Sequence, residues 1–280
     1  MASELTDNEK TRDRGTFAVT KESPASATMP EIPSGVVRVD YVSAVDGRSD
    51  WALLDSPTRG DVWIVFLHGW GSNGDQLYMR ADIREKWLSR FRAAGLGILS
   101  ANLRDNAHMC PEAVEDLHDL LAWVRKTRNA GPFIFFSGSM GGTGNLIYAT
   151  FHPEDCAAVA ALGAVTDLTT HRANMKQETG IRQEIGASYV KAYGGTPEEK
   201  PDLYRRHSPL YNTEKFTMPL YLAHGEKDDL IAVEQMRALA AALAAKPNVT
   251  YVEIPGGDHD SPCFHPPAME WILKQAETLR

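Results

Sequence analysis

The sequence predicts an α/β fold, a mostly parallel twisted sheet of about eight strands with helices on both faces. Two observations predict it. Short apolar runs alternate with helical patterns from Gly35 to the C-terminus, which is the rhythm of strand–helix–strand units. Several runs, "VWIVFLHG" from Val62 and "PFIFFSG" from Pro132 among them, are apolar almost without interruption, as strands buried on both faces must be. A length of 280 residues, with 43% hydrophobic and 24% charged residues, suits one domain that buries a sizeable core without staples.

The elements follow in order. Residues 1–35 are polar and mixed in charge, with no apolar stretch, and predict a flexible leader ahead of a domain over 36–280. "VVRVDYVS" from Val36 and "WALLDS" from Trp51 predict early antiparallel strands, and "VWIVFLHG" a third strand. Ile83, Trp87 and Phe91 fall on one helical face. "LGILSANL" from Leu96 is the next strand. Pro111 opens a helix on which Val114, Leu117, Leu121 and Val124 share a face. "PFIFFSG" is a strand, "GGTGNLIYATF" from Gly141 a helix, and "AAVAALGAV" from Ala157 a strand. Later come the strand "PLYLAHG" from Pro219, a helix marked by Val233, Met236, Ala240 and Leu243, the last strand "VTYVEIPGG" from Val249, and a closing helix from Pro266. Residues 167–218 break this rhythm. They are polar and contain "YGGTPEEKPDLYRR", which predicts two or three helices forming either a small cap over one end of the sheet or a long crossover.

Charge and cysteine usage narrow the function. A net charge of −8 and a pI of about 5.6 argue against nucleic acid or an anionic membrane as partner. No apolar run approaches the ~20 residues of a membrane span, and the N-terminus lacks the apolar region of a secretory signal. The three cysteines, Cys110, Cys156 and Cys263, form no C-x-x-C pair. They predict buried or half-buried thiols in a reducing, cytoplasmic compartment rather than a disulfide framework.

"FFSGSMGGTGN", from Phe135, carries the chemistry. A serine on a sharp strand-to-helix turn needs small residues two positions to either side, because larger ones clash across the turn. Ser139 has Ser137 and Gly141 there. In an open parallel sheet, ligands bind beyond the carboxyl ends of the strands, and Ser139 sits at such an end. A phosphate-binding loop would need a lysine followed by Ser or Thr, which this stretch lacks.

From about Val36 onward the chain resembles the α/β-hydrolase superfamily, with S-G-S-M-G in place of the G-x-S-x-G nucleophile elbow. The resemblance implies an α/β-hydrolase fold and a serine nucleophile, Ser139, followed in the chain by an acid and a histidine. "HGEKDDLI" resembles the family's G-x-x-D turn and points to Asp228, with Asp229 as runner-up. "GGDHDSP" resembles the histidine loop and points to His259; the neighbouring Asp260 is discounted. His259 is then the expected base and Asp228 its orienting carboxylate. "HGWGSNG" from His68 resembles the H-G-x-G oxyanion loop, so the backbone N–H groups of Trp70 and Met140 are the expected oxyanion donors. "HDSPCFH" matches no metal-ligand pattern, and neither metal nor cofactor is expected. Asn102, Arg104, Tyr78 and Arg80 lie near strand ends or this loop, where pocket-lining and structural roles are both open.

Within the superfamily, "SGSMGG" and "MPLYLAHGEKDDLIAVEQM" resemble catalytic domains of the prolyl oligopeptidase family and their esterase relatives. Those peptidases carry a large N-terminal propeller, which the short leader does not match. The resemblance therefore implies hydrolysis of small carboxylic esters through an acyl-enzyme on Ser139. A prolyl oligopeptidase-like aminopeptidase or acyl-peptide hydrolase is the alternative, and a non-catalytic ligand-binding member of the fold a third reading.

Overall fold

The computed structural model describes residues 14–175 and 179–280. Nine strands form one sheet. In chain order they are β1 (Ala18–Pro24), β2 (Val37–Val42), β3 (Ser49–Asp55), β4 (Trp63–Leu67), β5 (Gly97–Ala101), β6 (Phe133–Gly138), β7 (Cys156–Leu162), β8 (Leu220–Gly225) and β9 (Val249–Ile254). Their spatial order is β1-β2-β3-β5-β4-β6-β7-β8-β9. β1, β2 and β3 pair antiparallel, and β3 meets β5 antiparallel. The six strands from β4 onward run parallel.

One expectation is corrected here. Part of the leader expected to be flexible is a strand: Ala18–Pro24 pairs with Val37–Val42 and extends the sheet by one edge strand. Its burial alternates weakly, with Lys21 and Glu22 exposed, so backbone pairing rather than apolar burial holds it in place. The first 13 residues of the expected leader lie outside the described residues.

Between the strands lie α1 (Gln76–Met79), α2 (Ala81–Ile83), a π-turn over Arg84–Leu88, α3 (Ser89–Ala93), α4 (Pro111–Arg128) and α5 (Ser139–Phe151). Then follow α6 (Leu168–Asn174), α7 (Ile181–Tyr193), α8 (Pro201–Arg206), α9 (Glu234–Ala242) and α10 (Pro266–Thr278). Successive strand residues point to opposite faces. Trp63, Val65, Phe133 and Phe135 join a core beneath α4 and α5, while Ile64, Phe66, Ile134 and Phe136 join a second core with Trp87, Phe91 and Ile272. Two packed faces explain why these strands read as unbroken apolar runs.

Among its described residues, the 167–218 segment contains three α-helices, α6, α7 and α8. Tyr189, Tyr193 and Tyr204 from it are buried in the same core as α4 and α5, and the Tyr193 hydroxyl donates to the His108 carbonyl at 3.0 Å. Among the described residues no helix is long and apolar enough to cross a membrane.

This topology positions the site. From β4 the chain moves outward one way to β5 and then back past β4 to β6. A crevice opens where the order reverses, beyond the carboxyl ends of β4 and β6. The "HGWGSNG" loop and Ser139 occupy those two ends.

Candidate active site

Ser139 is one of seven described non-glycine residues with positive φ, at 56°. It ends β6 and begins α5 in one step. That backbone is costly for an L-residue, and the surroundings enforce it. A Cβ at Gly141 would sit 2.0 Å from the Leu67 carbonyl oxygen, so only glycine lets α5 pass β4 so closely. The serine that replaces the first glycine of the elbow has a task of its own. β4 and β6 stop pairing after Val65, which leaves the Leu67 N–H without a strand partner. That N–H donates to the buried Ser137 Oγ at 2.9 Å.

Two loops bring the other expected groups to Ser139. His259 Nε2 lies 2.9 Å from Ser139 Oγ, and His259 Nδ1 lies 2.7 Å from Asp228 Oδ2. Asp228 Oδ1 accepts the N–H groups of Leu230 and Ile231 at 2.9 and 2.8 Å. With its carboxylate accepting, the imidazole carries its proton on Nδ1 and turns the Nε2 lone pair to the serine hydroxyl. Burial opposes ionisation of Asp228, but the donors from His224 and His259 outweigh it and hold the carboxyl well below the usual range. Burial also pulls His259 down, but the hydrogen bond and charge of Asp228 outweigh that and hold it above its ordinary value.

Asp229, the runner-up, is exposed, and its carbonyl accepts from Arg182. Asp260 is exposed beside Arg80, at 3.5 Å. The structure thus brings Ser139, His259 and Asp228 together and leaves the neighbouring carboxylates outside.

Side chains within, beside and far from it in sequence hold the His68–Gly74 loop. His68 places Nε2 2.9 Å from the Asn102 carbonyl oxygen and Nδ1 2.8 Å from the Gly69 carbonyl oxygen. The N–H of Gly69 donates to Gln76 Oε1 at 2.9 Å, and that of Gly71 to Asn106 Oδ1 at 2.8 Å. These bonds fix the peptide on each side of the Trp70 amide. The Trp70 indole N–H donates to Ser188 Oγ at 3.1 Å, while Ser188 donates to the Ile185 carbonyl at 2.7 Å. The hydroxyl proton being used, His108 Nε2, 2.7 Å away, is the second donor to Ser188 Oγ. Met140, the other expected oxyanion donor, is the second residue of α5, where free N–H groups and the helix dipole favour negative charge.

Of the four pocket candidates, Asn102 braces this loop, also accepting the Gly74 N–H at 3.2 Å. Arg104 is buried among Asp46, Asp116 and Ser43. Tyr78 is fully buried, and Arg80 pairs with Asp82 at 2.9 Å. The sequence did not single out Ser188, His108 or Asn106; on α7, Ser188 looks like any polar helical residue. Burial pushes His108 down to about 3 and His171 down to about 4, so both rings are neutral near pH 7.

In "HDSPCFH", His259 is engaged with Ser139 and Asp228. Cys263 packs under Gly138, where a Cβ would meet its Sγ at 2.4 Å. All three cysteines are free, and burial pushes the Cys110 and Cys263 thiols up to about 12. A separate group, His118, His152 and Asp155, converges beside the middle of α4. Its two rings stack 4.1 Å apart and 13° from parallel, so their in-plane lone pairs do not meet on one ion. Asp155 is already engaged by Tyr148, Arg125 and His118.

A cleft of about 1130 Å³ lies behind the oxyanion-side loop, lined by Asn106, Ser188, Tyr193 and His207 among others. Ser139, Asp228 and His259 do not line it; the proximity of these three side chains, not this cleft, locates the candidate site.

Known proteins agree with this architecture. LipC, an esterase of Mycobacterium tuberculosis, is 27% identical over 242 residues, which is 75% of this chain and 55% of LipC. YtmA of Bacillus subtilis, an uncharacterized peptidase, is 27% identical over 108 residues, 39% of each protein. The chain thus spans about half the length of LipC and less of YtmA. The solved structure of FphF, a fluorophosphonate-binding serine hydrolase of Staphylococcus aureus, superposes with a TM-score of 0.64 at 16% identity, over 86% of this chain and 99% of that one. The BD-FAE family matches residues 56–243, more than half of the chain, so the protein has the α/β-hydrolase fold and belongs to the BD-FAE family.

Proposed function

We propose that the protein is a serine hydrolase that cleaves small carboxylic esters through an acyl-enzyme on Ser139. The contact between Ser139 Oγ and His259 Nε2, 2.9 Å long with Asp228 behind it, carries this reading. A serine hydroxyl is a weak nucleophile until a base takes its proton during attack. His259 Nε2 accepts that proton as Oγ adds to the ester carbonyl, and Asp228 stabilises the imidazolium and keeps its tautomer. The Trp70 and Met140 amides donate to the oxyanion. His259 then returns the proton to the departing alkoxide. Water, activated by the same nitrogen, releases the carboxylic acid.

A purely ligand-binding role accounts poorly for the arrangement. It has no need of a strained serine aligned with a histidine and a buried carboxylate. Ester hydrolysis is favoured over peptide hydrolysis because the similarity to the esterase LipC covers 75% of the chain and that to the peptidase YtmA only 39%. The peptidase reading rests on that shorter similarity and on the resemblance of "SGSMGG" and "MPLYLAHGEKDDLIAVEQM" to peptidase catalytic domains.

The test is a panel of aryl esters of varied chain length, run beside aminoacyl and dipeptidyl anilides. Short aryl esters are expected to turn over faster, and faster turnover of proline-containing anilides would promote the peptidase reading. Ser139→Ala is expected to lose on the order of 10⁴-fold or more in kcat with its fold retained. A Ser139→Ala protein that keeps most of its activity removes Ser139 from the mechanism.

A further inference from the structure

Asp228 has a second histidine. His224 lies on β8, four residues before Asp228, and both side chains are fully buried, at 0% exposure. His224 Nε2 is 2.8 Å from the Ile231 carbonyl oxygen and 3.2 Å from Asp228 Oδ2. Both neighbours are acceptors, so Nε2 carries the ring's proton and shares it between them. The other nitrogen, Nδ1, is buried without a hydrogen-bond partner, which is tolerable for a bare lone pair and costly for an N–H.

The consequence is a carboxylate saturated on every side. Oδ1 takes the N–H groups of Leu230 and Ile231; Oδ2 takes His259 and His224. His224 also ties down the far end of the turn through the Ile231 carbonyl. One buried ring therefore grips both the carboxylate and the loop that carries it.

We infer that His224 is a positioning residue for the acid: it fixes Asp228 against His259 and shares the carboxylate charge that His259 feels. This rests on the reading of Ser139, His259 and Asp228 given above. The physical logic is competition for one oxygen. Each N–H donated to Oδ2 lowers the negative charge offered to His259. Without His224, the two backbone donors still anchor Oδ1, so the carboxylate stays within reach of His259, but Oδ2 is less firmly fixed and binds the His259 proton more strongly. The other groups that act on this pair and on His224 are Asp229 and Asp260 beside it, Cys263, Glu253 of β9 opposite His224, His171 from α6, and Arg182 of α7 beyond His171. None of them donates to Asp228 Oδ2 among the hydrogen bonds of the described residues.

The test compares three variants at one position. His224→Phe keeps a ring and removes the donor. His224→Gln restores an N–H near the Nε2 position. His224→Asn is polar but too short to reach Oδ2, and it takes the place of Phe should that variant not fold. The readout is the pH profile of kcat/KM for a short aryl ester, with the thermal unfolding of each variant as control. The expected result is an acidic limb displaced upward by about half a pH unit in Phe and Asn and returned toward the parent in Gln, with kcat reduced about ten-fold and KM little changed. A limb in folded Phe or Asn that coincides with the parent overturns the inference, whatever the rate.

The same comparison in the Ser139→Ala background keeps this outcome separate from failure of the serine mechanism. There, the titration of the His259 Nδ1 proton by NMR replaces activity. An unmoved midpoint in that background again refutes a role for His224, while residual activity of Ser139→Ala refutes only the serine mechanism.

Discussion

The turn that carries Ser139 and the His68–Gly74 loop stand side by side at the ends of β6 and β4, yet they are held in opposite ways. Backbone sterics hold the first. Ser139 keeps a φ of 56° because α5 begins at once and Gly141 lets Leu67 approach. Hydrogen bonds from side chains outside the loop, all but Gln76 far away in the sequence, hold the second. Gln76, Asn102, Asn106 and Ser188 reach it from three different segments. The first device is local and leaves a mark in the sequence, small residues at fixed offsets. The second is tertiary and leaves almost none.

The largest expected effect tests whether local marks also identify the acid. Asp228 and Asp229 are adjacent and chemically identical, and only their surroundings differ. Asp228→Asn is expected to lower kcat about 10⁴-fold, because an amide cannot stabilise the imidazolium and favours the wrong tautomer. Asp229→Asn, on an exposed side chain, is expected to change kcat by less than about two-fold. Steady-state kinetics of the two proteins decides. The larger loss at Asp229 would transfer the role.

Next comes the steric half of the comparison. Gly141→Ala puts a methyl group 2.0 Å from a backbone oxygen that cannot yield, and is expected to cost about 3 kcal/mol of stability. Gly71→Ala, at a φ of 74° but with nothing within 4 Å of its Cβ, is expected to cost about 1 kcal/mol. Chemical denaturation measures both. Equal losses would mean that α5 shifts to accommodate the methyl group, so the close approach to β4 would not be what requires glycine at Gly141.

The hydrogen-bonded half predicts smaller changes. Ser188→Ala removes one acceptor from two donors, the Trp70 indole and His108. Loosening the loop should reduce kcat about ten-fold, equivalent to about one hydrogen bond, with KM little affected. An unchanged kcat would show that Asn102, Asn106 and Gln76 suffice to hold the loop.

What was legible in the sequence follows the same division. The strands with two buried faces, the Ser139 turn and the Asp228 and His259 loops all obey short-range rules, and all were readable. β1 was not, because Ala18–Pro24 is an edge strand with most side chains in solvent, so no apolar pattern marks it. Asn106, Ser188 and His108 act only after folding brings residues 70, 106, 108 and 188 together. His224 lies inside "HGEKDDLI", four residues ahead of Asp228, where the motif draws the eye to the acid and not to what holds it.

The smallest expected effect is a displacement of the acidic limb of kcat/KM. In the proposed mechanism the active form of His259 is the neutral ring, so the rate should rise with pH through the His259 midpoint. Asp228 outweighs burial and raises that midpoint, which places the limb above the unperturbed value of about 6.5. His108 and His171 add no limb there, because burial keeps both neutral down to about 3 and about 4. Stability runs the other way across this window. A raised histidine contributes its stabilisation fully below the unfolded midpoint and loses it as pH rises through the folded one. The His259–Asp228 pair should therefore weaken as a stabilising contact over the range in which activity appears, and Asp228→Asn should bring the residual limb down to about 6.5 or below. A limb near 4 in the parent would point to a carboxylate base and remove His259 from that role. A limb at 6.5 that Asp228→Asn leaves unmoved would mean that the carboxylate orients the ring without tuning it.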